Sequence, residues 1–169
     1  MTLKYLDETG LGLMLSVISS WFVKGRGKQF KIPTRWGSDG RVNVLGTLSL
    51  SGAGEQLEYR LLEGQCTRDQ VVAYLQTLAE RCDPAGLTVV VLDNAPFHKG
   101  GELTKRREEW EKQGLYLRYL PAYCPFLNLI ETTWRKLKGF LMPRRCYNSV
   151  AELTEALLAA FKLLGAVQI

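Results

Sequence analysis

The chain has 169 residues, of which 46% are hydrophobic and 23% charged, and a formal net charge of +5. That balance suits one globular domain with a proper core, and no run approaches the roughly 18 apolar residues that cross a bilayer. The opening MTLKYLDETG has neither the apolar stretch nor the small-residue cleavage site of a secretory signal, so a cytoplasmic protein with no membrane attachment is expected.

Residues 2 to 7, TLKYLD, read as a short strand ending in Asp7. Trp21 to Lys24 reads as a second strand, and the Gly-, Lys- and Arg-rich stretch from Gly25 to Arg41 as a loop. From Val42 to Leu50 the chain alternates, with Val42, Val44, Leu48 and Leu50 on one face and Asn43, Thr47 and Ser49 on the other. This is the pattern of a strand buried on one side. Leu57 to Leu62 is a further strand. Thr67-Arg68-Asp69-Gln70 fits a capping box that opens a helix through VVAYLQTLAERC. The run Leu87 to Leu92, short and rich in valine, reads as a central strand covered on both faces, and it stops at Asp93. A polar helix is expected from Glu102 to Gln113 with Gly114 as its stop, then a strand from Leu115 to Leu120 closed by Pro121. Two helices finish the chain. The first runs from Phe126 to Leu141; the second opens at Ser149-Val150-Ala151-Glu152 and carries Val150, Leu153, Leu157, Phe161 and Leu164 on one face. Strands first, then strands alternating with helices, predict a mixed α/β sheet with helices on its faces, the later strands made parallel by right-handed crossovers.

Four cysteines without a C-x-x-C pair, and a single histidine, exclude the usual zinc patterns and read as free thiols in a reducing compartment. The basic residues are clustered: Lys24 to Lys28, Lys31 to Arg35, Arg135-Lys136-x-Lys138 and Arg144-Arg145. Aromatics stand among them, including Trp21, Phe30, Trp36, Trp134 and Tyr147. Such a mixture serves phosphate contact and base stacking, and it serves a solvated basic face equally well. Gly25-Arg26-Gly27-Lys28 lacks the Gly-Lys-Ser/Thr ending of a phosphate loop.

Asp7 and Asp93 each close a predicted strand, and ligands of open α/β sheets gather at the carboxyl ends of strands. Taken singly, either aspartate could equally serve a turn. Glu131 adds weight. The apolar stripe of its helix is Leu127, Ile130, Trp134, Leu137 and Leu141, and Glu131 falls on the flank of that stripe near the helix start. A glutamate placed only for the helix dipole would stand free in solvent; this one is turned partly inward. Three such carboxylates suit two Mg²⁺ ions, which take oxygen ligands, keep several waters and together activate a nucleophile and stabilise a leaving oxygen in phosphodiester cleavage.

Three blocks carry a family resemblance: YLDETG, VVVLDNAPFHKG and YLPAYCPFLNLIETTWRKLKG. They resemble the catalytic blocks of DDE transposases, in the branch of Tc/mariner elements and related bacterial insertion sequences. The first block matches at Asp7. The second, a strand followed by Asp-Asn-x-x-x-His, matches at Asp93, Asn94 and His98. The third matches at Pro125, Leu127, Asn128, Ile130, Glu131, Trp134, Leu137 and Lys138, with Cys124 in place of the usual Ser and Leu129 in place of the usual Pro. Between Asp93 and Glu131 lie 37 residues, close to the branch's spacing.

The resemblance implies a ribonuclease-H-like fold, with a mixed five-stranded sheet (three antiparallel strands plus two parallel) and helices on both faces. It implies Asp7, Asp93 and Glu131 as catalytic metal ligands for Mg²⁺ or Mn²⁺, two ions in number. The implied activity is endonuclease cleavage at element ends, then strand transfer into target DNA. A stand-alone nuclease of the same fold, and a truncated remnant that only binds DNA or a partner, are the alternatives. The expected partners are DNA and a second subunit in a homodimer. Members of the family carry helix-turn-helix domains ahead of the first block; Met1 stands six residues before Asp7, so residues 1–169 are expected to be one catalytic domain, with the recognition domain missing or separately encoded.

The remaining candidates for nucleic-acid contact are Asn94, His98, Asn128, Arg135, Lys136 and Lys138. His98 could meet a phosphate or a water near the metals, or start a helix. Asn128 fits best as a cap-like orienter of the Glu131 helix. Trp134 fits core packing better than base stacking. Arg135, Lys136 and Lys138 suit the DNA backbone or a solvated face.

Overall fold

The computed structural model describes residues 1–14, 40–52, 54–95, 98, 100–121, 124–143 and 145–169. The strand expected at Trp21 to Lys24 and the Gly25 to Lys28 loop lie outside these. Among the described residues six strands form one sheet: β1 Thr2–Gly12, β2 Arg41–Ser51, β3 Gly54–Leu62, β4 Thr88–Leu92, β5 Leu115–Tyr119 and β6 Val167–Gln168. Their order is β5-β4-β1-β2-β3-β6. Strands β1 to β3 are an antiparallel meander, while β4 runs parallel to β1 and β5 parallel to β4. Strand β6, one more than the five that the resemblance implied, is two residues paired parallel to the outer edge of β3. A segment that short has no period to detect.

Strand β1 does not end at Asp7; it continues to Gly12. It pairs with β2 from Leu3↔Leu50 to Gly12↔Arg41, but with β4 only from Thr2↔Thr88 to Tyr5↔Val91. Asp7 is therefore a mid-strand residue where β1 keeps one neighbour and has outrun the other. Strand β2 departs from its expected one-sided burial as well. Val42, Val44 and Leu48 join one core and Leu45 the other, so both faces are covered. Its polar residues are satisfied beneath that cover: Thr47 Oγ1 lies 3.0 Å from Tyr74 Oη, and Ser49 Oγ accepts from Lys4 Nζ at 2.8 Å. Lys4 also pairs with Glu58.

Helices α1 (Arg68–Ala79) and α2 (Glu102–Lys112) cover one face, over Leu6, Leu45, Val90, Leu92, Leu115 and Leu117. The capping box of α1 is formed, with Thr67 N–H donating to Gln70 Oε1 at 2.9 Å and Gln70 N–H to Thr67 Oγ1 at 3.4 Å. Trp110 of α2, fully buried, ties the two helices by donating to Gln76 Oε1 at 2.8 Å. Gly114 ends α2 at a φ of +86° with Asp83 O 2.5 Å from where a Cβ would stand, so no other residue fits there.

Helices α3 (Ile130–Lys136) and α4 (Val150–Leu163) cover the opposite face, packing on Val44, Leu48, Leu57 and Tyr59. The single helix expected over 126–141 is three pieces: a 3-10 turn at Pro125–Leu127, α3, and a π-helical turn at Leu137–Leu141. Its apolar spacing is continuous, but hydrogen-bonding register is not visible in spacing. At α4, Ser149 caps Glu152 N–H at 3.1 Å, while the Glu152 side chain takes Asn148 N–H at 2.8 Å rather than that of Ser149. Among the described residues no helix is long and apolar enough to cross a membrane.

Candidate active site

The strand register brings the two aspartates abreast. Asp7 lies two residues beyond Tyr5 and Asp93 two beyond Val91, and Tyr5↔Val91 is the last pair of the parallel ladder. Side chains alternate along a strand, so Leu6 enters the core beneath α1 and α2 while Asp7 faces α3. Across the antiparallel ladder Asp7 pairs with Gly46. A Cβ on Gly46 would stand 2.7 Å from Trp134 Cη2 and 3.1 Å from Glu58 O. The missing side chain lets the Trp134 indole settle directly on β2 beside Asp7, and Trp134 is 5% exposed there. Composition and spacing did not single Gly46 out; its value is visible only with the helix in place. Gly46→Ala is expected to cost about 1–3 kcal/mol through overpacking and to slow any DNA cleavage with all acids intact. Urea unfolding read beside a cleavage assay checks both.

A second contact fixes the start of the same helix. Asn128 is buried at 3% exposure, and its Nδ2 donates to Leu6 O at 3.3 Å. Expected as a cap of its own helix or at DNA, Asn128 instead anchors the helix start to β1; the α3 cap position is Leu129, which makes no side-chain cap bond. With Asn128 held at one end and Trp134 at the other, Glu131 is carried over the end of the β1–β4 ladder. Glu131 lines two adjoining hollows, one shared with Asp93 and Asn94, the other with Asp7, Arg135 and Lys138.

Asp93 follows β4 directly. Its Oδ1 accepts Ala95 N–H at 2.9 Å and lies 2.6 Å from His98 Nδ1. His98 has no solvent exposure, so it meets Asp93 rather than the surface where DNA could lie. Asn94 Nδ2 donates to Leu120 O at 2.5 Å, clamping the end of β4 to the end of β5. Arg135 is exposed and Lys138 half-buried, both in the hollow beside Asp7. Lys136 is exposed and does not line that hollow. Arg145 is engaged locally, with Glu152 at 2.9 Å and over the Tyr147 ring.

The electrostatics follow from this crowding. Burial, then the charges of Glu8, Asp93 and Glu131, push the Asp7 carboxyl up to about 8. Burial raises Glu8 too, against the opposing pull of His98. Lys138 is lowered by burial and by Arg41, against the pull of Asp7. Cys66, beside Glu8 and Asp7, is pushed up to about 12, chiefly by burial, so it stands there as a thiol rather than a thiolate ligand. Cys66, Cys82, Cys124 and Cys146 are half-buried thiols rather than disulfide partners. Among the described residues no three His, Cys, Asp or Glu side chains close on one point as a finished metal cage does. Glu131 instead lines the hollow of each aspartate, one with Asp93 and the other with Asp7.

One family model, described as DDE superfamily endonuclease, matches residues 2–154. The chain belongs to the DDE endonuclease superfamily. Among solved structures it is similar to the Mos1 mariner paired-end complex with Mn, with a TM-score of 0.67 and 16% identity over 95% of this chain and 48% of that one. It is likewise similar to the Mos1 transposase paired-end complex with left transposon end, at a TM-score of 0.65 and 16% identity over 95% of this chain and 47% of that one. The fold is ribonuclease-H-like, as the three blocks implied. The chain spans about half the length of these Mos1 chains. No curated protein sequence matches it.

Proposed function

We propose that this chain is the catalytic domain of a transposase of the Tc/mariner and insertion-sequence branch, cutting DNA at element ends and joining the freed 3′ end to target DNA. One observation carries the reading: Asp7 and Asp93 stand level past the end of the parallel ladder, and Glu131 reaches the hollows beside both. The donor set fits Mg²⁺ or Mn²⁺. It is all oxygen, and its most crowded member, Asp7, is held near 8 by burial and by like charge that a cation would relieve. Ions that keep much of their water need only a few carboxylates rather than a closed cage. When bound, such ions supply activation of the attacking oxygen and stabilisation of the leaving one.

The chain's own residues do the rest. Asp7, Asp93 and Glu131 hold the ions. Ala95 N–H and His98 orient Asp93, and Asn128 and Trp134 set the position of Glu131. Arg135 and Lys138, in the hollow with Asp7 and Glu131, neutralise backbone phosphates next to the cut. Recognition of element ends falls to a separate domain, and pairing of two ends to a second copy.

Purified protein with Mn²⁺, given DNA bearing its element ends and the recognition domain, is expected to nick that DNA and yield joined product. Hydrolysis with no joined product in any condition would reduce the reading to a nuclease. Neither product, with Mn²⁺ failing to bind in calorimetry, would leave a remnant that binds DNA or a partner only.

A further inference from the structure

His98 is the chain's single histidine, and its ring is wholly buried between two carboxylates. Nδ1 lies 2.6 Å from Asp93 Oδ1. Nε2 lies 3.8 Å from Glu8 Oε2, an ion-pair distance rather than a hydrogen bond. The backbone at both ends of this contact is pinned. His98 N–H donates to Ala95 O at 2.9 Å, Tyr119 Oη donates to His98 O at 2.7 Å, and Ala95 N–H returns to Asp93 Oδ1 at 2.9 Å.

Glu8 follows Asp7 on β1, so alternation turns its side chain to the face of α1 rather than that of α3. There its Oε2 is buried and makes no hydrogen bond among the described residues. We propose that Glu8 is a positioning residue that acts on Asp93 through His98, linking the two faces of β1 through one imidazole. The proposal rests on Asp93 being a metal-holding carboxylate. A flip of the ring would present carbon to Asp93 and Glu8 alike, so two contacts resist what one would resist less. What each imidazole nitrogen faces sets which tautomer and orientation the ring holds, and outer partners that orient a ligand typically change metal affinity by about 10–100-fold. Nothing in the spacing of the second block points to Glu8, because the contact joins residues 8 and 98 through the fold.

The lone histidine makes the test direct, because its imidazole nitrogens give one set of resonances. In metal-free protein, Glu8→Gln is expected to shift the Nε2 resonance, and Glu131→Gln to leave it in place. In calorimetry, Glu8→Gln should weaken Mn²⁺ binding by about tenfold. His98→Asn keeps an amide near Asp93 but no atom facing Glu8. In that background Glu8→Gln should have no further effect, since residues acting through one another are non-additive. An Nε2 resonance unmoved by Glu8→Gln overturns the proposal. So does an undiminished loss of affinity in the His98→Asn background, which would make Glu8 a direct ligand. If the native protein binds no Mn²⁺, the metal reading of Asp93 fails, while the metal-free spectrum still decides whether Glu8 acts on His98.

Discussion

Asp93→Asn is expected to cut DNA cleavage by about 1,000-fold, roughly 4 kcal/mol of lost transition-state stabilisation, with almost no change in stability. The substitution is nearly isosteric. The amide oxygen can still accept Ala95 N–H, as Asp93 Oδ1 does at 2.9 Å, and can still face His98 Nδ1. What disappears is the negative charge, and a neutral amide is a poor substitute for a carboxylate on a hard divalent ion. Single-turnover cleavage in Mn²⁺, read beside a thermal melt, separates the two effects. Full activity in Asp93→Asn would remove Asp93 from the machinery. Loss of activity together with loss of the fold would move its role to the turn that Ala95 and His98 close.

The metal-free protein is expected to lose stability as pH rises from about 4 to about 8, and Asp7→Asn to abolish most of that loss. The Asp7 carboxyl moves from 3.8 to about 8 on folding. Between those values the unfolded chain has released the proton and the folded chain keeps it. Each pH unit through the window therefore subtracts up to about 1.4 kcal/mol from the free energy of unfolding. The raised Glu8 carboxyl acts in the same direction. Asparagine at position 7 has no proton to lose, so at pH 8 the metal-free variant should be more stable than the native protein by up to about 5 kcal/mol, on the order of 10–20 °C in melting temperature. A cation brings the opposite consequence. Below pH 8 it must displace the proton, so binding at pH 7 should release close to one proton, measurable by calorimetry in buffers of differing ionisation enthalpy. Parallel stability curves for the native protein and Asp7→Asn would refute the crowding on which this depends.

The two predictions pull Asp7 and Asp93 apart, although the sequence presents them as equals. Each closes what reads as a strand. Asp93 does stand directly after β4, half exposed, with its carboxylate already bonded by its own turn. Asp7 stands inside an eleven-residue strand, largely buried beneath α3. The difference arises because β1 outlasts β4, and strand length relative to a neighbour is a property of the pairing rather than of TLKYLD. His98 is similar. Its place in the second block marked it for a role, but its burial and its two carboxylate neighbours depend on Glu8, ninety residues away.

Local order was therefore legible wherever it rests on local chemistry. The alternation of Val42 to Leu50, the valine run into Asp93, the boxes at Thr67 and Ser149 and the stop at Gly114 each encode their element through side-chain period or cap geometry. The third block named Glu131 and its helix in the same way. Tertiary structure alone decided the rest. It paired Gly46 with Asp7 so that Trp134 could lie against β2. It tied Asn128 to Leu6 across 122 residues of chain, and it broke one apolar stripe into three helical pieces. The physical reason is range. Periodicity and capping act within a few residues, whereas like charges crowded at a strand end, a missing Cβ under an indole and a buried imidazole between two acids exist only once distant segments share one place.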